Sequence, residues 1–269
     1  MNKILSRHIK EILSPIWLEK PETARRVRQR IEKVWYWGKV LEYCSGDNPA
    51  VFKGNLEYVL PKQPPLHQSH HNALPHAEIP SFWAKLLKIP TLSSLALQLL
   101  ILTAARTSEV LEAKWREFDF EKEIWIIPRE RMKTGKEHRI PLSSHTIKLL
   151  HHIQTVFPSD GFVFSKGRDT PLSNMAMLSL IKREFAELAI TVHGFRSSFR
   201  DWGETSNAYS HRSLEYSLGH SVQNKVESAY QRDDLLLLRR KIMTNWAVYL
   251  FQENEVLAFS ADFKKSSIM

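Results

Sequence analysis

From Leu95 the chain runs LALQLLILTAA, its most apolar stretch, and then meets a charge at Arg106. The stretch falls far short of the ~20 residues that cross a bilayer, so it predicts a helix buried in a protein core. Burying such a helix calls for ample surroundings. The 269 residues, 43% hydrophobic and 25% charged, supply them for one large domain or two small ones. Nine glycines against thirteen prolines, with long apolar-periodic stretches, predict a mostly helical chain. The N-terminal MNKILSRHIKEIL is amphipathic and has neither the apolar core nor the small-residue cleavage site of a signal peptide. Cys44 is the only cysteine, which excludes an internal disulfide and a cysteine-based metal cluster and fits a reducing cytosol.

Organisation follows from periodicity and its interruptions. Residues 1–60 read as helices. In KPETARRVRQRIEKVWYWGKVLEYC, Thr23 is placed to cap a helix whose apolar stripe is Val27, Ile31, Val34, Gly38 and Leu41. Arg26, Arg30 and Lys33 line a neighbouring face, either as a solvated stripe or as phosphate contacts. CSGDNPA breaks the pattern, and LPKQPPLHQSHHNALPHAEIP, rich in proline and histidine, reads as an extended linker. Its His67, His70, His71 and His76 lie in irregular chain with no carboxylate or thiol set beside them, so no metal site is expected. A second domain is expected from Ser81. It begins with helices over SFWAKLLK and LSSLALQLLILTAA. FDFEKEIWIIPRERMKTGKEHRIPLS then reads as two or three strands with Gly135 at a hairpin turn, and GFVFSK as another short strand. The remainder reads as helices.

With 38 Lys+Arg against 29 Asp+Glu, the chain carries a net +9 and favours polyanionic partners, nucleic acid foremost. That directs attention to Tyr230, flanked by Glu227, Arg232, Asp233 and Asp234, polar company for an aromatic residue. It is either helix packing or a nucleophile. A tyrosine that cleaves a phosphodiester must lose a proton from a phenol of pKa near 10, and the negative transition state suits guanidinium forks. The leaving alkoxide needs an acid, and enough fixed positive charge makes a metal unnecessary. Arg106 stands where the apolar helix ends and another begins, with Glu109 three residues on to orient it. His193 and Arg196, three apart, share one helix face. His220 follows a glycine ten residues before Tyr230. Lys133, on the hairpin, is placed to protonate a leaving oxygen, with Lys136 a rival. Each of these residues also has a purely structural reading when taken alone.

Their order resembles the tyrosine recombinase (phage integrase) family: an arginine, a hairpin lysine, His-x-x-Arg, Gly-His, then tyrosine ten residues on. KPETARRVRQRIEKVWYW, DNPA, HHNALPHAEIPSF, ARTSEVLEAKW, HGFRSSFRDW and AYQRDDLLLLRRKIMTNWAVYL are similar to segments of its prophage and genomic-island integrases, from about Ile9 to Leu250. The resemblance implies that Tyr230 attacks a DNA phosphate to leave a 3′-phosphotyrosyl link and a free 5′-hydroxyl. Arg106 and Arg196 would hold the non-bridging oxygens. His193 would bond the phosphate and help take the phenol proton, Lys133 would protonate the 5′-oxygen, and His220 would buttress the site. Lys133 matches the family's lysine better than Lys136, and Tyr209 and Tyr216 are the rival tyrosines.

The expected architecture is mainly α with a small antiparallel sheet. It comprises a helical core-type DNA-binding domain over 1–60, a linker over 61–80, a catalytic domain over 81–252 and a tail over 253–269. The arm-binding domain that precedes these in the family is expected to be lacking. The implied function is a site-specific recombinase that integrates or excises a prophage or genomic island. It would act on double-stranded DNA attachment sites, contacted in part by Arg26, Arg30 and Lys33, as a homo-tetramer on DNA and a monomer in solution. No cofactor, metal or membrane is expected, and the location is the bacterial cytoplasm, at the nucleoid. The alternative is a catalytically inactive DNA-binding remnant. A type IB topoisomerase shares the chemistry but not these flanking segments.

Overall fold

The computed structural model describes residues 3–63, 72–165, 167, 170–220 and 234–266, with side chains as far as Gln252. The chain divides into two compact units, Met1–Ser69 and His70–Met269. Among the described residues it is mostly helical with one three-stranded antiparallel sheet, and no helix is long and apolar enough to cross a membrane.

The first unit is built on α1 (Ser6–Trp17) and α2 (Pro21–Val40). Ile9, Leu13 and Trp17, spaced four apart, bury one face of α1 against Ala24, Ala50, Leu56 and Leu60. α2 starts two residues before the expected cap. Lys20 is its N-cap and Pro21 its first residue, since a proline with preset φ and no N–H fits the first turn, so Thr23 lies inside the helix. Its buried stripe is also displaced. Ala24, Trp35 and Gly38 are buried and Val27 and Ile31 pack beside them, whereas Val34 is 53% and Leu41 45% exposed. The larger Trp35 takes the inward position that the spacing assigns to Val34. The DNPA turn is closed by Asn48, whose Nδ2 donates to Glu32 O and whose Oδ1 accepts from Ala50 N, 3.0 Å each.

The second unit is arranged around α4 (Leu92–Thr103), where every residue but Ser93 is buried. Thr91 caps it by accepting from Ser94 N at 3.2 Å. Around it pack α5 (Thr107–Leu111), α6 (Ser144–Val156), α7 (Ala176–Glu184), α8 (Gly194–Thr205) and α10 (Leu236–Ser266). α3 (Ile79–Leu86) and α9 (His211–Ser217) lie against α10. This unit begins upstream of Ser81, because Leu74 joins its core and accepts a hydrogen bond at its carbonyl from Ser198 Oγ. α10 runs on to Ser266, into the residues expected to be a tail; ENEVLAFSADFKKS contains no proline or glycine to stop it. His67, His70 and His71 lie outside the described residues, while His76 Nδ1 meets Tyr249 Oη at 3.3 Å.

The sheet joins β1 (Phe118–Asp119), β2 (Ile124–Ile127) and β3 (His138–Pro141) in that order, with Trp125 opposite both Phe118 and Ile140, and Ile127 opposite His138. The β2–β3 connection turns at Gly135, φ +65°. GFVFSK does not form a strand of this sheet. Val163 N donates to Ala113 O at 2.8 Å and Phe162 bridges Lys114, contacts that tie down buried Val163 and half-buried Phe162 without extending into a ladder.

Trp246 of α10 joins the elements of the second unit. It is fully buried, donates from Nε1 to Ile101 O at 2.8 Å, and packs against Phe199, Trp202 and Tyr249. Trp246→Ala should therefore cost about 3–5 kcal/mol of stability, read as a lower midpoint in urea denaturation.

Candidate functional site

α4 ends at Ala104, whose left-handed backbone (φ +49°) turns the chain so that Arg106 becomes the N-cap of α5. Glu109, 2% exposed, then accepts from Arg106 twice at 2.7 Å, from the backbone N–H at Oε2 and from Nη1 at Oε1. Arg106 Nη2 reaches across to Gly219 O at 3.1 Å. Arg196, on α8, is 4% exposed. Its Nη1 donates to Ala104 O and its Nη2 to Leu218 O at 2.6 Å. The two guanidiniums, 90 residues apart in sequence, thus bind the successive carbonyls of Leu218 and Gly219.

His220 completes the turn. Its Nδ1 lies 2.7 Å from Glu215 Oε2 and its Nε2 3.2 Å from Arg196 Nη2. Arginine offers only donors and the carboxylate only acceptors, so Nδ1 carries the proton and Nε2 accepts. Glu215 is further held by Arg200 Nε at 3.2 Å. His193 is the N-cap of α8, exposed, with Arg196 N donating to its carbonyl at 3.1 Å. Gly194 follows because a Cβ there would lie 2.4 Å from Asn72 O.

Burial lowers the Arg196 pKa to about 10, and the neighbouring Arg106 charge adds to the fall, while Glu109 and Glu215 oppose it. His138, on β3, is more strongly affected. Burial first, then the charges of Arg239, Arg106 and Arg196, bring it down to about 3, against a hydrogen bond with the Ser217 backbone that favours the charged ring. Sequence reasoning missed His138 and Glu215. The signal for His138 was its inward register on β3, alternating with Ile140 and Leu142. Beside it, Arg139 pairs with Asp234 (Nε to Oδ2 2.9 Å, Nη2 to Oδ1 2.8 Å), and buried Arg239 donates to Arg139 O.

Not all the expected residues gather here. Lys133 and Lys136 are exposed on the hairpin between β2 and β3. Tyr230 lies outside the described residues. Of its rivals, Tyr209 Oη accepts from Asn245 Nδ2 at 2.8 Å, and Tyr216 lies under the Arg212 guanidinium. Arg26, Arg30 and Lys33 are exposed on α2 of the first unit, Arg26 paired with Glu22 at 2.8 Å. What converges is a pair of immobilised cations, one of them backed by the His220 ring, a disposition suited to a tetrahedral oxyanion.

The phage integrase family model matches residues 72–235, and that of the phage integrase central domain residues 1–55. The prophage integrase IntZ of Escherichia coli (strain K12) is 30% identical over 91% of this chain and 59% of its own length. The integrase of enterobacteria phage P4 is 28% identical over 86% of this chain and 55% of its own. The chain therefore spans little more than half of each relative. Among solved structures, the fold is similar to a lambda integrase (75–356) dimer bound to a COC′ core site, with TM-score 0.59 and 18% identity over 83% of this chain and 81% of that one.

A histidine with a folded pKa near 3 and an unfolded value near 6.5 binds fewer protons folded than unfolded between those limits. Its effect on stability is therefore nil above about pH 6.5 and increasingly unfavourable as pH falls towards 3. Urea denaturation across that range should show stability declining with acid, and His138→Gln should flatten the decline by up to ~1 kcal/mol per pH unit.

Proposed function

Because the chain belongs to the phage integrase family, we propose that it is a site-specific DNA recombinase that cleaves and rejoins double-stranded attachment sites through a 3′-phosphotyrosine at Tyr230. The observation that carries this reading is the Arg106–Arg196 pair, whose guanidiniums are held in place by Glu109 and by the carbonyls of Ala104, Leu218 and Gly219. Two fixed cations resting on successive carbonyls of one turn suit the non-bridging oxygens of a single phosphate and lower the barrier without reorganising as charge develops.

In this reading Tyr230 Oη bonds to phosphorus as the P–O5′ bond breaks. The phenol proton passes to His193, and Lys133 delivers a proton to the departing 5′-oxygen. The covalent link conserves the phosphodiester's energy, so a 5′-hydroxyl of a partner duplex reverses the step and neither ATP nor a metal is consumed. His220, with Nε2 turned to Arg196, buttresses the clamp, and Glu109 orients Arg106. Asp234, four residues after Tyr230 in the sequence, is held by Arg139 of β3.

The first unit supplies backbone contacts through Arg26, Arg30 and Lys33, and assembly on DNA is as a homo-tetramer. The net charge of +9 fits that partner. The element moved is a prophage or genomic island.

Incubation with a nicked suicide duplex tests the reading. The wild-type chain should form a covalent protein–DNA adduct, and Tyr230→Phe should abolish it while DNA affinity stays within about threefold. An adduct that survives in Tyr230→Phe would move the nucleophile to Tyr209 or Tyr216, and binding without any adduct would identify an inert remnant.

A further inference from the structure

His138 is buried at the centre of the candidate site and has no part in the chemistry assigned above. Its ring meets Gly219 closely. A Cβ added to that glycine would lie 3.2 Å from both Cδ2 and Nε2 of His138 and 3.3 Å from Arg106 Nη1. Gly219 is also in the left-handed region, φ +63°. The imidazole, the glycine and the guanidinium therefore pack so closely that a Cβ between them would force a neighbour to shift.

The same ring lies close enough to the backbone of Ser217 for that group to favour its charged form. Ser217, Leu218 and Gly219 are consecutive, and the last two present the carbonyls that receive Arg196 and Arg106. One side chain from β3 thus touches both ends of the three-residue turn on which both arginines rest. The cations facing it come from three further elements: Arg106 at the start of α5, Arg196 on α8 and Arg239 on α10, with Glu109 already engaged by Arg106 and Glu215 by His220 and Arg200.

We propose that His138 is a positioning residue for Arg106 and Arg196: an uncharged wedge that holds the Ser217–Gly219 turn so that its carbonyls keep the two guanidiniums aimed at one oxyanion.

The requirement is specific to an uncharged group that keeps a polar atom. Phenylalanine fills the space but abandons the Ser217 backbone group, which is then buried and unpaired. Lysine or arginine brings a further positive charge into a cluster of three. Glutamine keeps both a donor and neutrality. β3 also closes the hairpin that carries Lys133, five residues before His138, so the strand ties the lysine's base to the arginine turn.

The inference rests on the recombinase reading for the reaction that reports it, and the test separates the two. His138→Phe and His138→Gln are compared in the full chain by single-turnover adduct formation on a nicked duplex and by the Kd for that duplex. Binding of inorganic tungstate, a tetrahedral dianion, is measured by calorimetry, and thermal unfolding checks folding. His138→Phe should slow adduct formation at least tenfold and weaken tungstate at least fivefold, with duplex Kd within threefold. His138→Gln should restore both to within threefold of wild type. If the phenylalanine chain does not fold, His138→Met takes its place.

Equal activity in all three chains overturns the positioning role, as does an equal loss in both variants. A wild-type chain that forms no adduct but keeps the same order of tungstate affinities overturns the recombinase reading and leaves His138 in its role. Neither adduct nor tungstate binding in the wild type overturns both.

Discussion

Two like charges held side by side in a protein interior are the constraint on which the second unit depends. A guanidinium as buried as that of Arg196 is costly to remove from water unless its donors are met by acceptors, and Arg106 beside it raises the cost. The fold meets that cost with helix ends. α4 stops at Ala104 and α9 at Leu218, and the last carbonyls of a helix have no partner within it. Arg196 binds Ala104 O and Leu218 O, and Arg106 binds Gly219 O, so the orphan acceptors of two helices serve the cations while the negative ends of their dipoles face the charge.

That arrangement explains local features that otherwise look unrelated. Ala104 adopts a left-handed conformation because the chain must leave α4 sharply enough to expose its carbonyl and bring Arg106 to the start of α5. Gly219 has positive φ because the turn after α9 must present two successive carbonyls, and it lacks a side chain because His138 and Arg106 occupy the space. His220 is held between Glu215 on one ring nitrogen and Arg196 on the other. Ala104 answers this electrostatic demand from the end of α4, and Gly219 and His220 answer it from the turn after α9.

How legible this was in the sequence depended on whether a signal was local. The apolar run of α4, the break at Arg106 with Glu109 one turn on, and the Gly135 hairpin were all readable from short-range pattern, and the helix-rich architecture with a small antiparallel sheet follows from them. Boundaries set by competing local preferences were less so. Pro21 outranked Thr23 at the start of α2, and Trp35 outranked Val34 in its buried stripe because the larger ring gains more from burial. GFVFSK has strand-like composition, but its partners across the chain offer only isolated bridges. Within the site, Arg106, Arg196 and His220 could be named from their order, yet their common dependence on the 218–219 carbonyls could not, since backbone acceptors leave no mark on residue identity. His138 was missed because it acts through partners far away in sequence, and Glu215 because a glutamate five residues before a histidine makes no pattern of its own.

The same carbonyl scheme bears on why the site uses arginine at both positions. Arg196 bridges Ala104 O at one end of its fork and Leu218 O and His220 Nε2 at the other, three acceptors from two segments, which a single ammonium on a flexible stem cannot reach in one plane. Arg106 likewise divides its fork between Glu109 and Gly219 O. The structural bonds and the positive charge offered to a ligand therefore reside in the same rigid groups, and the charge is aimed by the contacts that hold the second unit together. A site assembled this way has its field in place before any anion arrives, at the cost of making its two cations inseparable from the packing of α4, α5, α8, α9 and β3.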